Sequence, residues 1–189
     1  MSDKKFNPEN LQKLNDPQRL TDIPPEYIMG KLNMAKPEVL VDIGAGTAFF
    51  SIAFLERLNP STIYACDYSD IMIGWMKKNV SPVYPDIIPV KNEESLVPLD
   101  DQIADLVYMI TLHHELENPS RMLEESYRIL KPGGKFFIVD WKKKEMSEGP
   151  PVKIRYVPEQ VREQMINSGF SGIFIYDELP KHFLVVGDK

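Results

Sequence analysis

The stretch Val39-Leu40-Val41-Asp42-Ile43-Gly44-Ala45-Gly46-Thr47-Ala48 decides how the rest of the chain is read. Its first five residues are apolar apart from one carboxylate, the composition of a strand covered on both faces. Gly44 and Gly46 let the backbone turn sharply and approach a ligand closely. A helix is expected to follow from Ala48 to Leu58. Strand, Gly-rich turn and helix in this order gather backbone N–H groups at one point, which favours a carboxylate or another anion there. Alone, such a turn announces only a nucleotide-like ligand.

Downstream, the pattern repeats. Thr62 to Cys66 reads as a second strand and Ile71 to Asn79 as a second helix. Asp86 to Val90 is a third strand, held to an edge or kept short by Pro89. Ala104 to Ile110 is a fourth. Glu117-Asn118-Pro119 opens a helix that Lys131-Pro132-Gly133-Gly134 stops, and Lys135 to Trp141 is a fifth strand. Strands alternating with helices predict βαβ units, a parallel sheet and helices on both faces. The C-terminal end departs from this rule. After a helix from Pro158 to Ser168, two β-like runs, Gly172 to Tyr176 and His182 to Val186, are joined by Asp177 to Lys181, which is too short for a crossover helix. They must form an antiparallel hairpin. The expected fold is therefore α/β and Rossmann-like: a seven-stranded, mostly parallel sheet with a C-terminal antiparallel hairpin.

Upstream, residues 1–36 are polar and rich in turn formers. Asn7-Pro8 and Asp16-Pro17 each look like an N-cap followed by a helix-opening proline, and two short helices are expected near 8–15 and 25–34. They would form a lid or flank on a core at 37–189, all within a single domain, as a length of 189 residues allows. The first residues lack the apolar run of a signal peptide, and no stretch approaches a membrane span. The only cysteine is Cys66, so no intrachain disulfide is available; a reducing, cytoplasmic setting is the simple expectation. A net charge of −6 argues against nucleic acid, whose binders carry a basic face.

Two carboxylates narrow the ligand. Asp42, at the end of the first strand, would pair with an amino group and repel a pyrophosphate. Asp67, at the end of the second strand, is placed to accept both hydroxyls of a ribose. Local capping is the competing role for both. A ribose, a zwitterionic amino-acid tail and no phosphate together describe S-adenosylmethionine.

Val39 to Ala48 resembles the first motif of class I S-adenosylmethionine-dependent methyltransferases, with Ala48 in place of the motif's final glycine; that position is expected to serve helix–strand packing. Ala65 to Ser69, Lys91 to Leu99, Asp105 to His114 and Arg128 to Gly134 resemble the family's later blocks in order. Over roughly residues 38–187 the chain is similar to the small methyltransferases of the ubiquinone/menaquinone-biosynthesis group (methyltransferase type 11). The resemblance implies that Asp42, Ile43, Gly44, Ala45 and Gly46 surround the methionine part. It implies that Asp67 holds the ribose, Tyr68 or Met72 covers the adenine, and Ile110 and Thr111 approach the sulfonium. Asn92 stands where the family usually has an Asp accepting from the adenine amino group; an amide oxygen still accepts, without charge. Glu93 is a neighbouring contact.

Methyl transfer is an in-line displacement that needs alignment more than acid–base chemistry. His113 and His114 follow the fourth strand, where acceptor-facing groups sit in an open α/β sheet. His114 is the candidate base and His113 a candidate acceptor contact; backbone capping is the alternative for both. A metal site from His113, His114 and Glu115 is disfavoured because adjacent side chains diverge. Trp141, at the end of the fifth strand, offers an aromatic face to the acceptor or sulfonium, and Arg155 is a candidate contact for an acidic acceptor. The leading expectation is methyl transfer to a small molecule by a monomer or homodimer. Transfer to a protein or RNA, and cofactor binding without transfer, stay open. Asp42 and the terminal hairpin count against an NAD-dependent oxidoreductase.

Overall fold

A computed structural model describes residues 11–189. The elements run α1 (Leu11–Leu14), α2 (Gln18–Asp22), α3 (Pro25–Leu32), β1 (Val39–Ile43), α4 (Phe49–Leu58), β2 (Thr62–Asp67), α5 (Asp70–Asn79), β3 (Ile87–Lys91), β4 (Ala104–Ile110), α6 (Pro119–Ile129), β5 (Leu130–Trp141), α7 (Pro158–Asn167), β6 (Ser171–Tyr176) and β7 (His182–Asp188). The seven strands form one sheet in the order β3-β2-β1-β4-β5-β7-β6. The first five pair in parallel, and β7 runs antiparallel to both β5 and β6. β3, which carries Pro89, is an edge strand as expected. Among the described residues no helix is long and apolar enough to cross a membrane.

Strand parity divides the core. Leu40, Ile63, Leu106, Tyr108 and Phe137 face one side, where α3, α4 and α5 supply Ile28, Phe54 and Met76. Val41, Cys66, Val107, Phe136 and Phe183 face the other, against Met122 and Leu123 of α6 and Met165 of α7. Burial on both faces is why these strands are near-continuous apolar runs.

Among the described residues the N-terminal flank holds one helix more than expected. Of the helix anticipated at 8–15, residues 11–15 are described and Leu11–Leu14 of these are helical; its Asn7-Pro8 start lies outside the described residues. The Asp16-Pro17 signal instead starts a separate helix, α2, with the Asp16 carboxylate accepting from the Gln18 N–H at 2.9 Å.

The chain order reverses between β2-β1 and β4-β5, and this is where an open α/β sheet leaves a crevice beyond the strand ends. The turn leaving β1 is pinned there. Gly44 and Ala45 both donate to the Cys66 carbonyl, at 2.9 and 3.0 Å. Gly44 has φ +74°, and a Cβ on it would stand 2.7 Å from the methyls of Leu112. Ala48 caps α4 with φ +58°, in the left-handed region. The final glycine of the motif therefore answers a backbone demand, rather than the packing role expected from the sequence. Alanine meets it at a strain of about 1 kcal/mol. A β-branched side chain cannot meet it cheaply in this fully buried place. Ala48→Val is expected to lower unfolding free energy by roughly 2–4 kcal/mol in urea denaturation, combining left-handed strain with overpacking.

Candidate functional site

A cavity of about 640 Å³ opens at the crevice, within the size range of small-molecule sites. The β1–α4 turn forms its floor through Asp42, Gly44, Ala45 and Gly46; Asp67, Tyr68 and Met72 line one side, and Ile110 and Thr111 the other. A recess of about 30 Å³ shares Gly44 and Tyr68 with the cavity and reaches Ile43, Asn92 and Glu94. Eleven of the twelve residues expected around the cofactor thus meet at one place. Glu93 does not: it is exposed, its backbone pairs with Leu96, and Glu94 takes the lining position.

Asp42 is the dominant electrostatic feature. Parity directs its side chain to the α4 face, where an apolar residue would be ordinary, and it is 3% exposed. Ser51 Oγ on α4 donates to its carboxylate at 2.6 Å. Burial pushes its pKa up to about 7; the Ser51 hydrogen bond and the nearby Arg19 only partly oppose this. A buried carboxylate that resists ionisation favours a cationic partner.

Asp67 braces the site. One oxygen accepts from the Gly46 N–H and the other from Ser69 N–H, both at 2.8 Å, tying the β1 turn to the β2 turn. The capping role and the ribose role are compatible, because a carboxylate has about four acceptor positions. Asn92 at the recess has a buried Oδ1 with no hydrogen-bond partner, an acceptor waiting for a donor.

Arg19, on α2, was not anticipated. It lines the cavity, donates to the Leu14 carbonyl at 2.7 Å and Thr111 Oγ1 at 3.4 Å, and lies over the Phe50 ring at 4.8 Å. Burial lowers its pKa to about 10, with Asp42 and Asp16 holding it up. A lone arginine in a polar flank carries no sequence signal of this placement.

Beyond β4, Thr111 adopts φ +55° and the chain turns through one 3-10 turn, His113–Glu115. The two histidines then diverge. His114 lines the cavity; its Nδ1 lies 2.7 Å from Asp140 Oδ1, and its backbone N–H donates to Asp140 Oδ2 at 3.0 Å. His113 points away into the core, with Nε2 2.8 Å from Gln164 on α7 and its ring edge-on to Tyr156. Its expected acceptor contact is thereby corrected: the 3-10 turn sends adjacent side chains in different directions.

Trp141 does line the cavity, with its ring 4.3 Å from that of His182 and pressed by the backbone of Gly149. Arg155 does not. Its guanidinium is buried and donates to the carbonyls of Lys142, Lys144, Glu148 and Pro150. Contact with an acidic acceptor is replaced by a structural duty, because all its N–H groups serve the 142–151 loop. His182, on β7, was also missed. It is 2% exposed, lines the cavity, and neither ring nitrogen has a hydrogen-bond partner. Burial pushes its pKa down to about 4, so the ring is neutral. Among the described residues no cluster suited to a metal ion occurs.

The profile of a family described as a methyltransferase domain matches residues 41–138. Over 109 residues the chain is 30% identical to a malonyl-[acyl-carrier protein] O-methyltransferase of Marinomonas sp. (strain MWYL1), covering 58% of this chain and 40% of that protein. Over 115 residues it is 31% identical to a demethylmenaquinone methyltransferase of Geobacillus sp. (strain WCH70), covering 58% and 48%. The chain spans less than half the length of these two relatives. The crystal structure of a SAM dependent methyltransferase from Aquifex aeolicus aligns with a TM-score of 0.90 at 28% identity, covering 97% of this chain and 99% of that one.

Asp42 sets a pH signature. Its folded pKa of about 7 lies above its ordinary value of 3.8, so its contribution to stability is fully present below the latter and is lost as pH rises through about 7. The Asp42→Asn protein, free of ligand, is therefore expected to gain stability relative to wild type as pH rises across that window. Chemical denaturation at a series of pH values measures the difference; a constant difference would contradict the assignment.

Proposed function

The chain belongs to the methyltransferase domain family, among the class I S-adenosylmethionine-dependent methyltransferases, and on that footing we propose that it transfers a methyl group to a small-molecule acceptor by in-line displacement. The observation that carries this reading is the buried carboxylate of Asp42, which favours a cation at the floor of a cavity large enough for a nucleoside with an amino-acid tail. Asn92 Oδ1, unpartnered at the recess, fits the amino group of an adenine. Asp67 retains acceptor positions for ribose hydroxyls. When bound, S-adenosylmethionine supplies an activated methyl group.

The residues of the chain then bind, align and dry the site. Asp42 takes the ammonium and the β1–α4 turn closes around the amino-acid tail. Ile110 and Thr111 face the methyl-bearing side, and Arg19 from α2 helps cover it. Holding the two reactants in line is worth up to roughly 7–11 kcal/mol of the barrier. A small acceptor is supported by the demethylmenaquinone named for one relative. A cytosolic setting, a monomer or homodimer, and no nucleic-acid partner complete the reading, the last from the net charge of −6.

Calorimetric titration of the purified chain tests it. S-adenosylmethionine and S-adenosylhomocysteine are expected to bind and NAD to leave the protein unchanged; the reverse result would sink the proposal. Asp42→Asn is expected to weaken S-adenosylmethionine about tenfold to a hundredfold, the loss of one charge-assisted hydrogen bond.

A further inference from the structure

The methyl-transfer reading does not require a base, yet the acceptor side of the cavity is built around one. Asp140 is the next-to-last residue of β5, is buried, and places both oxygens against the turn that carries His114. Oδ1 meets His114 Nδ1 at 2.7 Å and Oδ2 accepts the His114 N–H at 3.0 Å, while the Trp141 N–H donates to Oδ1 at 2.7 Å. An ionised carboxylate only accepts, so Nδ1 must carry a proton and Nε2 of the neutral ring holds the lone pair. The imidazole lines the cavity.

The groups facing His114 come from several elements. Asp140 is on β5, Glu115 lies 3.7 Å from Nε2, His113 precedes it, and Arg155 approaches from the loop before α7. Burial disfavours the imidazolium, but the charge and hydrogen bond of Asp140, helped by Glu115, outweigh it and hold the His114 pKa above its ordinary value. The imidazole is thus oriented by one partner and strengthened as a base by the same partner.

The rest of the cavity limits what it acts on. Six carboxyl groups line it, two of them, Asp22 and Glu148, sharing Lys181, against two lining cations, Lys13 and Arg19, so the balance of charge disfavours an anionic acceptor. An amine attacks through its own lone pair and loses its proton afterwards, and a thiol ionises readily without help; neither needs this pair. His182, neutral and unpartnered beside Trp141, offers one donor and one acceptor to an uncharged polar molecule.

Building on the methyltransferase reading, we propose that the acceptor is an uncharged small molecule bearing a hydroxyl on an sp2 carbon, a phenol or enol, and that its proton passes to Nε2 of His114 with Asp140 as the positioning residue. The O–H bond breaks, the N–H bond forms, and the electron pair left on oxygen is the nucleophile for the methyl group.

Two phenols test this. 4-Nitrophenol reports its own ionisation by absorbance, so it is titrated with pH in the presence of the S-adenosylhomocysteine-saturated protein. Bound to the wild type it is expected to ionise at a lower pH than in free solution, as a phenolate beside the His114 imidazolium, and in Asp140→Asn and His114→Gln to ionise as it does in free solution. Nuclear magnetic resonance of the three histidines is expected to show the His114 titration shifted down in Asp140→Asn. With S-adenosylmethionine, methylation of phenol is expected to rise with pH through the His114 titration and to slow roughly hundredfold in Asp140→Asn, at least tenfold more than methylation of 4-nitrophenol at mildly alkaline pH. Ionisation of bound 4-nitrophenol at no lower a pH than in free solution, or binding of S-adenosylmethionine with no methylation of either phenol, would overturn the acceptor class and leave the methyltransferase reading standing. These wild-type measurements decide even if the variants do not fold. Failure to bind either form of the cofactor would instead remove the methyltransferase reading, and this inference with it.

Discussion

A carboxylate buried where a strand should present an apolar side chain is the constraint around which this molecule is arranged. Asp42 faces the α4 layer of the core, and neighbouring features accommodate it. Ser51 on α4 supplies a hydrogen bond. Arg19 comes down from the N-terminal flank to within electrostatic reach. The glycines that follow allow a ligand's charged end to approach. Burying an unpaired charge is costly, and a protein tolerates such a residue when something else supplies the missing partner. The layering of the fold is thus not independent of its cavity: the residue that weakens the ligand-free core is the one that lies at the cavity floor.

The sheet was legible because its strands are covered on both faces and so are written as apolar runs, and because Asp177 to Lys181 is too short for anything but a hairpin. The cavity floor was legible because its parts are local: strand end, glycines and carboxylate are consecutive. The acceptor side was not. His114 and Asp140 are 26 residues apart, and Arg19 and Thr111 are 92 apart. No periodicity links such pairs; only the sheet order brings them together. His113 and Arg155 show the same limit from the other direction. Each has a side chain suited to substrate, and each is turned away, His113 by the 3-10 turn and Arg155 by the carbonyls that surround it. Residue type and strand-end position predicted proximity to the cavity, but side-chain direction was set by contacts the sequence does not display.

Ala48 carries a related lesson. Its deviation from the family motif looked like a matter of volume, and the backbone shows it to be a matter of φ. The Gly-to-Ala change keeps the shape of the turn while storing strain next to the cavity floor.

The loop from 142 to 151 has a consequence of its own. One guanidinium gathers carbonyls from four of its residues, and Lys181 adds an ion pair to Glu148. The loop is therefore internally rigid even though much of it is surface. Any molecule entering the cavity beside Trp141 meets a wall already in place, and little chain entropy is lost on docking. Selectivity in such a wall resides in the outline of the opening. Side chains along its rim can change without disturbing the wall, provided that the arginine holding it upright is kept.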